Sequence, residues 1–360
     1  MARWACLFLC AMWPFVAGAV EQVEVWGTSE EPGVPEAFQA WHTQYEDDGN
    51  YGESWFFMTH TSEGGALYAL LSITNLGLRT YDGSIDIQYY PPEGEAHRYH
   101  REVRRAELAG SEEQMDITVG GGHAWGGGRA YHLEVDEPGV QLRLDLTNRM
   151  DPYRFGNGKL VFFEDRSAEW AMGINVPSGE ARGSLTMNGQ TWDLAGSGYH
   201  DHTWTTIKLP SAMDRWRVVR ILGEQFDLVL HNQHFTKKFG GGDNNFGLLA
   251  IDGRRVATSR NFVLSPTATR KVAKVDMPTA FEVALDAGGW KVEGTLTEER
   301  FHDSIDVLAQ VSFPVRVAIK AFYSNPRMQR YAARYELDVT DPEGVTEHLS
   351  GECLVEANTF

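Results

Sequence analysis

The chain has 360 residues, a formal net charge of −18 at pH 7 and 12% aromatic residues, including 11 tryptophans. So acidic a chain argues against nucleic acid or an anionic membrane as a partner. The length favours two domains over one, and the surplus of aromatic side chains permits a large apolar pocket.

The first element in chain order is a predicted export signal. Arg3 precedes a short apolar run, and small residues follow at positions 17–19. This pattern predicts a Sec-type signal peptide over residues 1–19, cleaved after Ala19. Cleavage leaves Cys353 as the only cysteine, so we expect a periplasmic or secreted protein without an internal disulfide. The later sequence has no apolar run that predicts stable membrane insertion.

Most of the remaining sequence alternates polar and apolar residues with period two, which predicts short strands. Residues 20–50 are predicted to form an irregular arm. Trp-led hairpins are predicted in ESWFFMTHTSEGGALYALLSITN and in DRWRVVRILGEQFDLVLHNQHF. A further strand is expected over residues 314–324, and the single predicted helix is short and covers Met328–Arg334. The fold class is therefore all-β, with two antiparallel barrel or sandwich domains that divide near residues 205–214.

The segment GSGYHDHTWTT, residues 196–206, gathers several acid–base side chains in one predicted strand. His200, His202 and Trp204 share one face of that strand, while Tyr199 and Asp201 share the other. One interpretation is a structural plug whose imidazoles bond to the backbone. A second is a metal site, and a third is acid–base chemistry on an organic ligand.

The metal interpretation needs further ligands, which His231 or His234 can supply. The sequence has no dense ligand cluster, phosphate-binding loop, Gly-x-Ser-x-Gly elbow or His-Glu-x-x-His motif. We therefore predict neither a metal nor an organic cofactor.

In the acid–base interpretation His202 transfers the proton, and Asp201 or His200 orients it. Tyr199 and Trp204 provide an apolar wall that also suits a developing carbocation.

Further ligand-binding residues are predicted on other strands: Glu53, Trp55, Trp170, Trp216, His231 and Asn232. The tryptophans of this set are also typical of buried core residues. Glu53 lies at the start of an apolar strand and needs a partner, which Arg182 or Arg217 is expected to supply.

Three segments resemble one known superfamily. The pattern Gly-x-Gly-Tyr-His-Asp-His-x-Trp at 196–204 is similar to the central motif of the lipocalin-like superfamily that includes carotenoid 1,2-hydratases (hydroxyneurosporene synthases). Fungal decalin-forming Diels–Alderases are more distant relatives. Residues 52–57 and 176–185 resemble, respectively, an early strand of that superfamily and its approach to the motif.

The resemblance implies two lipocalin-like β-barrels, here assigned to residues 20–205 and 206–360, with an apolar ligand near their junction. In the hydratases the motif histidine and tryptophan matter for activity, and His202 and Trp204 match them. Val229 and His231 stand where the hydratases carry a tyrosine and an aspartate.

Two functions follow as expectations. The first is an enzyme that binds a bulky apolar isoprenoid or polyketide and hydrates, isomerises or cyclises it without a cofactor. The second is a non-catalytic carrier or chaperone for a hydrophobic ligand in the cell envelope. The sequence does not indicate an oligomeric state.

Overall fold

The computed structural model describes residues 20–27, 33–75, 82–306 and 327–360. The predicted signal peptide and the strand expected over 314–324 lie outside the described residues. Within these ranges the all-β prediction is confirmed, because the chain forms two antiparallel sheets and helices of at most four residues.

The first sheet contains the strands before residue 206 and curls into a barrel. Its strands are β1 (Val23–Val25), β2 (Gly52–Thr61), β3 (Ala66–Thr74), β4 (Asp82–Tyr90), β5 (His97–Val103), β6 (Leu108–Gly110), β7 (Asp116–Val119), β8 (Gly122–Gly127), β9 (Ala130–Glu137), β10 (Val140–Asn148), β11 (Lys159–Phe162), β12 (Ala168–Met187), β13 (Gln190–Asp193) and β14 (Gly196–Thr205).

The main path of this sheet runs β5-β4-β3-β2-β14-β12-β10-β9-β8-β7-β6, and β1, β11 and β13 extend it beside β12. The two ends of the path meet where Gly83 of β4 faces Leu108 and Val119. A side chain at Gly83 would lie 2.8 Å from Leu108 Cδ2 and 2.9 Å from Val119 Cγ1, so only glycine allows this approach. Alternating residues such as Leu142, Leu144 and Leu146 fill the interior. We call this unit the first barrel.

The second sheet runs β18-β17-β16-β15-β23-β22-β21-β20-β19. Its strands are β15 (Met213–Leu222), β16 (Phe226–Phe235), β17 (Asp243–Ile251), β18 (Arg254–Ser259), β19 (Phe262–Val272), β20 (Val275–Ala287), β21 (Trp290–Asp306), β22 (Arg327–Thr340) and β23 (Thr346–Thr359). We call this unit the second barrel, because β18 packs back against β20 around a separate apolar core.

Both Trp-led hairpins are confirmed as β2–β3 and β15–β16. The helix predicted over Met328–Arg334 is wrong, because these residues lie in β22. Tyr331 and Ala333 face the core of the second barrel, while Ala332 faces the first barrel. Burial on both faces removes the alternation that identifies a strand from sequence.

Short helices and turns connect the strands. The helices are α1 (Glu36–Gln39) and α2 (Leu209–Ala212), and 3-10 turns cover Thr43–Tyr45, Arg105–Glu107 and Lys237–Phe239. The predicted arm therefore has structure of its own, and α1 covers one end of the first barrel. In the described part of the chain, helices fall short of the length and apolarity that a membrane span requires.

The two barrels meet through a third apolar cluster, to which Tyr199 and Trp170 contribute from one side and Val229 and Phe246 from the other. The first sheet ends at Thr205 and the second begins at Met213. A division into two domains between residues 205 and 206 stays a prediction.

Candidate functional site

Strand β14 carries the predicted site between β2 and β12. The predicted division of its faces is confirmed. His200 and His202 point into the first barrel, where they stack on Phe57 and Trp55. Tyr199 belongs instead to the cluster between the barrels. The two faces of the motif strand therefore lie in two different environments, the interior of the first barrel and the junction between the barrels.

The centre of the first environment is Glu53, which accepts hydrogen bonds from two imidazoles through one oxygen. His202 Nε2 and His42 Nδ1 each lie 2.7 Å from Glu53 Oε1. The other oxygen accepts the backbone N–H of His42 at 3.1 Å and the hydroxyl of Tyr51. The side chains of Glu53 and His202 are 0% exposed, and that of His42 is 10% exposed. We call Glu53, His202 and His42 the imidazole–carboxylate cluster.

The geometry of His202 places a mobile proton in this cluster. Its Nδ1 lies 2.9 Å from the carbonyl oxygen of Phe38, which can only accept, so Nδ1 is protonated. Its Nε2 faces Glu53, so one further proton lies between this nitrogen and the carboxylate oxygen. Burial by itself raises the pKa of Glu53, but the His202 and His42 donors outweigh it and hold that pKa at about 2.

Aromatic rings enclose the cluster. The Trp55 ring stacks on His202 at 4.8 Å between centroids, and the Trp204 ring stacks on His42 at 3.7 Å. Trp204 Nε1 donates to Glu169 Oε1 at 2.7 Å, and Lys159 Nζ lies 3.0 Å from the same carboxylate. These faces can stabilise positive charge on a ring or on a ligand.

The prediction that His200 or Asp201 orients His202 is wrong. His200 Nδ1 lies 2.9 Å from Phe56 O, and its Nε2 lies 3.0 Å from Asn175 Nδ2. Burial lowers the pKa of His200 to about 3, so it is a neutral, satisfied core histidine. Asp201 lies on the opposite face, 3.8 Å from Arg220. The orienting groups of His202 are Glu53 and the Phe38 carbonyl, both on other elements.

The expected arginine partners of Glu53 are also wrong. Arg182 pairs with Glu180 at 2.6 Å on the exposed face of the sheet, and Arg217 lies in the second barrel. The interior of the first barrel supplies histidines to Glu53 because β2 pairs with β14, which sets His202 opposite Trp55 and Trp204 opposite Glu53.

A second polar group lies between the barrels. Trp216 Nε1 donates to His231 Nδ1 at 3.2 Å, so His231 carries its proton on Nε2, which lies 3.4 Å from the Tyr199 hydroxyl. Burial holds the pKa of His231 well below its usual value. Trp170 packs edge-on against Trp216 at 5.6 Å. Asn232 lies on the other face of β16, where it bonds Asn245 at 2.7 Å, so it does not join this group.

A buried ionic network continues from Asp201. Burial raises the pKa of Asp201 to about 7, although Arg220 opposes the rise. Arg220 Nη1 lies 2.5 Å from Glu356 Oε1, and Arg330 Nε lies 2.8 Å from Glu356 Oε2. Tyr199 lies under the Arg220 guanidinium, at 4.3 Å from the ring centre. This network links the two barrels and does not contact His202.

Sequence reasoning missed His42, Tyr51, Tyr45 and Glu169. His42 and Tyr45 lie in the arm, which was predicted to be irregular. In the sequence, only Glu53 indicates that such partners exist, because an acidic residue at the start of a buried strand requires hydrogen-bond donors. The arm brings those donors by folding over the end of the barrel, which alternation within strands does not reveal.

The imidazole–carboxylate cluster also contains metal-ligand atom types, since one donor atom from each residue lies within 4.8 Å of the others. Two histidines and a carboxylate are a common ligand set. However, the N–O distances of 2.7 Å are shorter than the roughly 3.4 Å that separates two ligands on a tetrahedral zinc with bonds of about 2.1 Å. Metal binding would require these side chains to move apart, so the arrangement fits a shared proton better.

Solved structures of other proteins share this fold. No protein-family model matches the sequence, and no curated protein is significantly similar to it. Among solved structures, CghA with Sch210972 aligns with a TM-score of 0.64 at 10% identity, over 87% of this chain and 89% of CghA.

Two further structures agree. An AttH candidate from Nitrosomonas europaea aligns with a TM-score of 0.62 at 15% identity, over 93% of this chain and 98% of its own. Kievitone hydratase from Nectria haematococca aligns with a TM-score of 0.55 at 14% identity, over 92% of this chain and 96% of its own. At these identities the likeness shows a shared fold, and it confirms the fold relationship that the sequence motifs implied.

Proposed function

We propose that this protein binds a bulky apolar molecule, an isoprenoid or a polyketide, and adds or moves a proton on it without a cofactor. The observation that carries the proposal is the convergence of His202 and His42 on one oxygen of the buried Glu53, at 2.7 Å each. A proton held by a positioned imidazole in an aromatic, water-poor site is available for general acid catalysis on a bound ligand.

The likeness to kievitone hydratase and to CghA with Sch210972 supports the proposal, since one is named a hydratase and the other is in complex with Sch210972. Proton transfer requires the ligand to lie within reach of His42, at the end of the first barrel that the arm covers. The aromatic group at the junction of the barrels, where Trp170, Trp216 and Tyr199 meet, is separated from the imidazole–carboxylate cluster because Tyr199 lies on the other face of β14 from His202. It offers a binding place for the carrier function. Export to the periplasm or the medium belongs to the proposal and depends on residues 1–19.

His42 is the member of the cluster that can reach a ligand. Both nitrogens of His202 are already bonded to Phe38 and Glu53. His42 uses Nδ1 for Glu53, and its Nε2 has no hydrogen-bond partner among the residues that the structure describes. His42 Nε2 would deliver the proton to a ligand carbon, and Glu53 and His202 would stabilise and replenish its charge. In hydration, water then adds to the neighbouring carbon and returns a proton to His42.

One observation favours the carrier function instead. The Glu53 and His202 side chains are 0% exposed and their hydrogen bonds are made within the protein, as expected of a structural plug. In that case the cluster anchors the arm, and the protein would release a ligand bound at the junction without converting it chemically.

Paired His42 variants separate the two functions. In His42→Asn the amide can replace Nδ1 toward Glu53, and in His42→Gln the amide reaches the position of Nε2, but neither amide can transfer a proton. The protein is incubated with a lipid extract of the cells that produce it, and the extract is compared by mass spectrometry before and after.

We expect the parent to convert one apolar compound and both variants to lose that conversion by about a hundredfold or more, the contribution of a proton-transfer group. Both variants should retain the compound during gel filtration. Retention without conversion by the parent would establish the carrier and refute the catalytic proposal.

A further inference from the structure

One end of the second barrel contains a cavity of about 240 Å³. It lies between the start of β15, the start of β20 and the end of β23. The imidazole–carboxylate cluster lies in the other barrel. Its lining includes Arg215, Arg217, Met277, Pro278 and Thr359. The lining combines apolar side chains with charged ones of both signs, since Asp214 and Asp276 lie beside the two arginines. Apolar surface with a few placed polar groups is typical of a small-molecule site.

Arg217 differs from the other arginines near the cavity, because it has no counter-ion among the residues that the structure describes. Arg217 contacts the Leu264 carbonyl oxygen at 3.5 Å and the Phe281 ring at 5.5 Å, and it forms no ion pair within the described part of the chain. Its Nε is buried and has no partner there either. By contrast, Arg215 pairs with Asp243 and Arg270 pairs with Glu298, both at 2.8 Å.

Arg217 nevertheless keeps its charge. Burial lowers its pKa to about 10, with the Arg215 charge acting in the same direction, so the guanidinium is protonated at neutral pH. An unpaired charge in a partly dry site is unfavourable for the fold, and a protein tolerates it where a ligand of opposite charge binds.

Neighbouring side chains have unused polar atoms as well. The Tyr331 hydroxyl, the Gln329 side-chain oxygen and the Thr359 hydroxyl are buried without a partner among the described residues. Tyr331 and Gln329 are 0% exposed. Arg217 pairs across β23 with Ala357, which in turn pairs with Gln329, so all three share the interior face of the sheet. Arg217, the Tyr331 hydroxyl and the Thr359 hydroxyl therefore provide donors from three strands at the same end of the barrel, while the unused Gln329 oxygen is an acceptor.

We propose that this cavity binds a small organic monocarboxylate, with its carboxylate on Arg217 and its apolar part against Met277 and Pro278. One free guanidinium compensates one negative charge and matches a carboxylate in a two-bond fork. Asp214 and Asp276 also line the cavity, which disfavours a dianion such as phosphate. The volume equals that of about eight liquid waters, enough for an acid of roughly ten non-hydrogen atoms.

Benzoate has this size, and the neutral benzamide is its matched control. Isothermal titration calorimetry with the full chain should show benzoate binding at least about tenfold more tightly than benzamide, because a charge-assisted hydrogen-bonded pair is lost in the amide. Inorganic phosphate should bind more weakly than benzoate. This comparison needs no variant, so it is independent of folding. Equal binding of benzoate and benzamide, or no binding of benzoate, would overturn the proposal, and tighter binding of phosphate would overturn the monocarboxylate class.

Variants then locate the site. Arg217→Met should abolish benzoate binding while the melting temperature stays equal or rises, since an unpaired charge is removed. Arg334→Gln is the matched control in the same barrel, because Arg334 is exposed, pairs with Glu336 at 2.7 Å and does not line the cavity, and it should keep binding within about threefold of the parent. Undiminished benzoate binding by Arg217→Met would refute the assignment to this cavity. If Arg217→Met does not fold, Arg217→Lys should bind benzoate more weakly than the parent but more tightly than benzamide, and Arg217→Lys binding equal to that of the parent would count against the forked contact.

Discussion

Replacing Glu53 with glutamine should cost roughly 3–4 kcal/mol of unfolding free energy at neutral pH. Glutamine preserves the shape of the side chain but removes the negative charge that His202 and His42 share. The pKa of Glu53 falls from 4.5 to about 2 in the folded protein, because the imidazole donors outweigh the effect of burial. Each pKa unit corresponds to about 1.4 kcal/mol, which gives the expected loss.

The direction of the Glu53 pKa shift determines the pH range over which this carboxylate stabilises the fold. A carboxyl whose pKa is depressed by folding stabilises the protein above its unfolded value, here 4.5, and loses that contribution as the pH falls towards 2. The difference between the parent and Glu53→Gln should therefore be constant from pH 7 to about 5 and shrink below about 4.5. Equilibrium unfolding in urea at a series of pH values measures it.

Glu180→Gln is the control, because this carboxylate is exposed and pairs with Arg182 on the sheet surface. Its effect should stay within about 0.5 kcal/mol at every pH. Parallel curves for the parent and Glu53→Gln across the acid range would refute the ionised, hydrogen-bonded Glu53 on which the site is built.

Three further predictions concern other buried groups. Arg220→Leu should lower the unfolding free energy by roughly 3–5 kcal/mol in urea titrations, because it strands the buried Glu356 with Arg330 alone; stability equal to the parent would contradict the network between the barrels. Cys353 should resist a thiol reagent until the protein unfolds, since burial raises the pKa of its thiol, and rapid labelling of the native protein would contradict its burial. His200→Gln should flatten the loss of stability between pH 6.5 and 3, because folding lowers the pKa of His200 to about 3 and protonation below 6.5 favours the unfolded chain; an unchanged acid slope would contradict its neutral state.

The alternation of residues was enough to predict the sheets, because most strands face one core and one polar side. Leu142, Leu144 and Leu146 of β10 all point inward, with exposed residues between them. The prediction failed at Met328–Arg334, where the strand lies between two apolar environments and both faces are buried. Such a strand has no period that distinguishes it from a short helix.

The site was predicted in part for a similar reason. The faces of β14 follow from period two, so the grouping of His202 with Trp204 was accessible from sequence. The pairing of strands could not be predicted from the sequence, and the pairing of β2 with β14 is what brings Glu53 to His202. The approach of His42 depends on how the arm folds, which no periodic pattern encodes. Full burial of His202 also means that its removal lowers stability whatever its role, so His42 gives the clearer test.

Solvent deuterium tests the central claim most directly. The protein is incubated in D2O with the apolar compound that it converts or retains from the lipid extract, and carbon-bound deuterium in the recovered compound is measured by mass spectrometry. Proton transfer from the imidazole–carboxylate cluster predicts incorporation with the parent and with His200→Gln, and its loss with His42→Asn. Recovery of the compound without deuterium from the parent, or equal incorporation by His42→Asn, would contradict the account.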